Sequence, residues 1–126
     1  MKYTKATNYA LHITAYLIKD EVNEKKSIQT LADQFQLSPT YLSKILTQLT
    51  KAGLVHSTPG AKGGYHLAVS GATISFLDVI QAIEGHAPLL VCDMGNDHQC
   101  KIQQVIAEAE KDMNRQLSRR KIIDIL

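Results

Sequence analysis

Two cysteines and one histidine carry the ligand and redox chemistry near the C-terminal end. Cys92 and Cys100 bound the polar stretch CDMGNDHQC, with His98 between them. Thiolates are nucleophiles, redox centres and soft metal ligands, and imidazole is a borderline ligand. A thiol switch ranks first, because a polar loop is expected to be exposed and cytosolic disulfides tend to be sensing ones. A pair of inert cysteines ranks next. A Zn²⁺ or other metal site from Cys92, His98 and Cys100 follows, as three ligands close in sequence are a weak signal. The expected cofactor is therefore none. A second set of residues suits an anionic polymer. Thr40, Tyr41, Lys44, Thr47, Gln48 and Lys51 are small, polar or cationic and share a helical face. Gly60-Ala61-Lys62-Gly63-Gly64 offers close backbone approach and one cation. GAKGG lacks the Gly-Lys-Ser/Thr order of a phosphate loop and precedes a strand. No Ser/His/Asp set, HExxH or paired acids stand out, so no enzyme is expected.

The elements that hold the polar face lie between Ser27 and Tyr65. Ser27 caps a short helix whose Ile28, Leu31, Ala32 and Phe35 share one side. Gln36 and Leu37 form a turn. Ser38-Pro39 starts a second helix, since Ser takes an orphan N–H and Pro has none to waste. Leu42, Ile45, Leu46 and Leu49 form its inward stripe, and Gly53 ends it. Leu54 to Thr58 and Tyr65 to Ala68 are extended runs around the glycine-rich tip. This is a winged helix-turn-helix. From periodicity alone, a groove-reading face and an ordinary solvated face are equally good readings of the second helix. The basic hairpin moves the balance toward DNA.

Residues 4–20 form a first helix with Ala6, Ala10, Ile13 and Leu17 on one side and Asn8 and His12 on another. Asp20 to Lys26 is a charged connection. Ser75 with Asp78 fits a capping box, Phe76, Leu77, Ile80 and Ile83 give the next helix a core face, and Gly85 stops it. Ile102, Ile106, Ala109, Met113 and Leu117 mark a long last helix with one apolar seam and charged flanks. Arg119-Arg120-Lys121 reads as a solvated helix end, and Ile122 to Leu126 as an apolar tail that tucks onto a dimer. The fold class is mainly α with a small β-hairpin wing. Residues 1–85 form the DNA-binding domain, 86–100 a sensor loop, and 101–126 a dimerisation helix and tail.

The 126 residues carry a net charge of +2, unevenly placed. Residues 1–70 hold eight Lys against four acids (+4), and residues 71–126 hold six Lys/Arg against eight acids (−2). The positive half holds the helix-turn-helix, as phosphate binding requires. Its cations are all lysines, so the Arg–guanine contact is absent there. No apolar run approaches the roughly 20 residues of a membrane span. No signal-peptide core is evident, and a cytoplasmic protein is expected.

LSPTYLSKILTQLTKAGLVHS, PGAKGGYHLA and ISFLDVIQAIEG, in that order, resemble the Rrf2 family of bacterial winged-helix regulators. The resemblance runs from Met1 to Gly85. Known members regulate iron–sulfur cluster assembly, nitric-oxide responses and cysteine metabolism. The resemblance implies a homodimer on a palindromic operator, usually a repressor. The family commonly has Arg before the first wing glycine, where this chain has Pro59, leaving Lys62 as the cation there. Cluster-binding relatives place three cysteines in the loop. Cys92 matches the first, His98 and Gln104 stand where the others would be, and Cys100 falls off the pattern. Asn8 lies in the helix that donates a further ligand in some relatives, and Asn is a poor iron ligand. A [2Fe–2S] cluster therefore ranks last.

The expected function is a homodimeric repressor on double-stranded DNA, with no membrane partner. Ser38 and Thr40 would take phosphates, Tyr41, Lys44 and Gln48 would enter the groove, and Gly60, Lys62 and Gly63 would anchor the wing. Cys92 and Cys100 would sense oxidant. The alternatives are a winged-helix protein-interaction module without DNA binding, or a regulator sensing a metal or small ligand.

Overall fold

The computed structural model describes residues 2–20, 25–94 and 100–126. His98 lies outside them. Five α-helices and one hairpin follow in the order α1 (Lys5–Lys19), α2 (Ile28–Phe35), α3 (Pro39–Lys51), β1 (Val55–Thr58), β2 (Gly64–Leu67), α4 (Phe76–Glu84) and α5 (Lys101–Arg119). Single 3-10 turns occupy Gly71–Thr73 and Ile122–Ile125.

The helix starts follow the sequence. Thr4, Ser27, Ser38 and Ser75 each accept the N–H three residues on, at Thr7, Thr30, Tyr41 and Asp78. Asp78 returns the bond to the Ser75 N–H at 2.9 Å, completing the capping box. At the end of α3, Gly53 has φ +79°. Its N–H donates to Thr50 O and that of Leu54 to Leu49 O, at 3.0 and 3.1 Å, the paired bonds of a Schellman stop. The helix-turn-helix turn uses Gln36 at φ 55° instead of a glycine. Its side chain answers part of that strain by donating to Asp33 O at 2.8 Å.

The core sits between α1, α2 and α3. Ala10, Ile13 and Leu17 of α1 meet Leu31 of α2 and Leu42, Ile45, Leu46 and Leu49 of α3. α4 packs against α1 and α3. Its buried side chains are Val79 and Ile80; Phe76 and Ile83 pack at the edge, and Leu77 lines a cavity instead of the core. The expected α4 face holds at Phe76, Ile80 and Ile83, with Val79 taking the core place expected of Leu77.

β1 and β2 pair antiparallel, with Val55 opposite Leu67 and Thr58 opposite Gly64. Lys26 adds a single-residue third strand. Its N–H donates to Tyr65 O at 2.9 Å and its carbonyl accepts the Tyr65 N–H at 2.7 Å. The Lys26 ammonium pairs with Asp20 and lies 5.8 Å from the Tyr16 ring centroid.

After α5 the chain returns to its own body. The Phe76 N–H donates to Arg120 O at 3.0 Å, and the Ile122 N–H to Ile74 O at 3.1 Å. Ile122 is buried in the core. The tail expected on a dimer partner therefore begins by plugging the subunit it belongs to, because a backbone bridge between Ser75 and Lys121 aims it there.

Candidate nucleic-acid interface and sensor loop

α3 presents the face that its periodicity requires. Leu42, Ile45, Leu46 and Leu49 are buried, and Ser38, Thr40, Lys44, Thr47 and Lys51 are exposed. Gln48 is half-buried. The Ser38 hydroxyl already accepts the Tyr41 N–H at 3.2 Å, which leaves its O–H to donate outward. Tyr41 departs from the expected outward position. It is half-buried, with its ring edge-on to Tyr9 at 6.0 Å between centroids and 85° between planes. An aromatic this close to the α1 surface gains more from packing than from solvent.

Lys62 and Gly60 are exposed at the hairpin tip. The neighbouring glycines answer to sterics within the chain. A Cβ on Gly63 would lie 1.9 Å from Thr58 O, and one on Gly64 would lie 2.6 Å from Lys26 O. The GG pair thus lets the hairpin close and lets Lys26 pass beside it. The crowding at Gly63 comes from Thr58 and Pro59 across the turn, and that at Gly64 from Lys26, which is distant in sequence.

Both cysteines touch Gln103 in the first turn of α5, Cys100 through its thiol and Cys92 through its backbone, while the Cys92 thiol lies 3.9 Å from Met94 O. Cys100 is the N-cap, with Sγ accepting the Gln103 N–H at 3.4 Å. The Cys92 N–H donates to the Gln103 side-chain oxygen at 2.8 Å. Both cysteines are half-buried, not exposed as loop polarity suggested. Residues Leu89 to Val91 also show that this segment is not uniformly polar; all three are exposed apolar side chains. Further along, the Leu89 N–H donates to Glu110 Oε1 at 3.2 Å.

Glu84, which the sequence did not single out, joins α4 to α1. Its Oε2 accepts from the Thr4 N–H at 2.8 Å, the Thr4 hydroxyl at 2.9 Å and the buried Thr7 hydroxyl. The Thr7 hydrogen bond leads in holding the carboxyl below its ordinary pKa, opposed by partial burial. Beside it, a cavity of about 410 Å³ opens between Tyr3, Leu77, Ile80, Leu89 and Met113, within the size range of small-molecule sites.

The Rrf2 family model, described as "Iron-dependent Transcriptional regulator", matches residues 3–126. This chain belongs to the Rrf2 family. Protein rrf2 of Nitratidesulfovibrio vulgaris is 30% identical over 100% of this chain and 87% of its own length. The HTH-type transcriptional regulator NsrR of Bacillus licheniformis is 31% identical over 79% of this chain and 70% of its own. Among solved structures, CymR, the global cysteine regulator of B. subtilis, superposes with a TM-score of 0.78 at 27% identity, covering 99% and 95% of the two chains. The Rrf2 chain described here is accordingly a winged-helix DNA-binding transcription regulator. No helix among its described residues is long and apolar enough to cross a membrane. The chain has two cysteines, fewer than the three of the cluster pattern set out above, and the Cys100 thiol accepts a backbone N–H as a helix cap.

Proposed function

We propose that the protein is a homodimeric repressor that binds a palindromic operator and is tuned by oxidation of Cys92 and Cys100. The observation that carries the dimer is the outer edge of α5. Ile102 is 72% exposed, Val105 64% and Met113 39%, at spacings of one helical face. An apolar seam of this kind on a 19-residue helix suits a two-fold partner, and two-fold symmetry pairs two α3 helices for two half-sites. Lys44 and Gln48 read bases, Ser38 and Thr40 hold phosphates, and Lys62 with the tip backbone anchors the wing. Tyr41 contributes through its hydroxyl edge.

Cys100 is the thiol whose chemistry reaches α5. A helix N-terminus favours the thiolate. Peroxide would take two electrons and two protons from the Cys92 and Cys100 thiols, forming one S–S bond and two waters. That bond pulls Cys100 Sγ off the Gln103 N–H and uncaps the helix that sets half-site spacing. The direct test is fluorescence anisotropy on DNA from the gene's own upstream region, with reduced and peroxide-treated protein. Tight binding that changes on oxidation, and ceases to respond in Cys92→Ser/Cys100→Ser, is expected. A response surviving in that variant would put the sensor elsewhere. Absence of binding in both states would favour the protein-interaction reading. Replacing Lys44 with Ala should cost about 1–3 kcal/mol of operator binding if Lys44 reads a base.

A further inference from the structure

We propose that His56 and His66 on the outer face of the wing form a two-imidazole site for a divalent transition-metal ion of the Zn²⁺ class. The two residues are direct cross-strand partners, one on β1 and one on β2. Their neighbours in the ladder, Val55 with Leu67 and Ser57 with Tyr65, point to the opposite face. Val55 is buried there, and Tyr65 and Leu67 pack against the core. The histidines therefore stand together on the side that the core does not use.

The rings sit 5.2 Å apart between centroids, with 75° between their planes. Two imidazoles on one tetrahedral Zn²⁺, each with a Zn–N bond of about 2.0–2.1 Å, place their centroids about 5 Å apart. The observed centroid spacing matches that distance. His66 Nδ1 is buried and has no hydrogen-bond partner among the described residues. A buried polar nitrogen without a partner is costly, and a metal bond or a reoriented ring would relieve it. Burial first, then the charges of His56 and Lys25, lowers the His66 pKa from its ordinary value. Lys25 also opposes a cation, but it is exposed, and salt screens such a charge.

Among the described residues no third His, Cys, Asp or Glu completes a ligand group. The remaining positions on the ion would go to water or to a phosphate oxygen. This suits the location, two residue pairs from a tip whose cation is Lys62. An ion at His56 and His66 would add positive charge to the wing. The site is independent of Cys92 and Cys100.

Calorimetric titration of the full chain carrying Cys92→Ser and Cys100→Ser with Zn²⁺ tests the proposal, because the thiol ligands are then gone. One saturable equivalent per chain is expected. His56→Ala and His66→Asn should each weaken it at least tenfold, while circular dichroism shows an unchanged fold. The exposed position of His56 makes that variant safe for folding. No saturable binding in the parent overturns the proposal. So does binding that His56→Ala leaves undiminished, which would place the ion on other histidines.

Discussion

α3 and α5 are both amphipathic helices opened by a side-chain cap, yet they are covered differently. α3 buries Leu42, Ile45, Leu46 and Leu49 inside its own chain. α5 has no buried residue along its 19 positions. Its inner edge, Ile106 and Leu117, is half-covered by its own subunit, Met113 lines the cavity beside Tyr3, and Ile102 and Val105 lie bare. The contrast separates two kinds of apolar stripe. One completes a fold, and the other is the face on which the proposed dimer would form.

The sharpest way to break that comparison is to damage each helix in turn. Leu46→Ala removes fully buried atoms and should cost about 2–5 kcal/mol, read as a lower urea midpoint. Ile102→Glu acts on a side chain with little to lose within the chain. It should leave the unfolding of the isolated subunit within about 0.5 kcal/mol, while sedimentation shows dimer giving way to monomer. If Ile102→Glu lowered subunit stability as far as Leu46→Ala, α5 would belong to the folding core and the comparison would fail.

A smaller effect concerns the joint between α1 and α4. The Glu84 carboxyl is held below its ordinary value of 4.5, with the Thr7 hydrogen bond as the first cause. A depressed folded-state pKa stabilises the native state above the unfolded value, and that stability is lost as pH falls through the lowered one. Urea midpoints should therefore decline on acidification below pH 4.5, and Glu84→Gln should flatten that part of the curve. An unchanged profile would show that the joint holds without the charge.

The helix-turn-helix was legible because its signals are local. Ser27, Ser38 and Ser75 announce helix starts within three residues, and Gly53 announces an end in the same way. The α3 stripe repeats within a single helix. What escaped reading depends on distant partners. Glu84 meets Thr4 across 80 residues of sequence. Lys26 reads as part of a charged connection until Tyr65 comes beside it. Tyr41 has the composition of a groove-facing residue, and only the position of Tyr9 turns its ring inward. Loop polarity suggested exposed cysteines, whereas Gln103 draws both to the start of α5. His56 and His66 lie ten residues apart, and only the hairpin register makes them neighbours.

The single-residue strand at Lys26 bears on modularity. A designer exchanging wings between relatives would cut the sequence at the ends of the hairpin. Here that graft would leave behind one edge of the sheet, together with the backbone that Gly64 was shaped to admit. The transplantable unit is discontinuous: residues 25–27 travel with residues 54–68, or the donor hairpin arrives without its third strand.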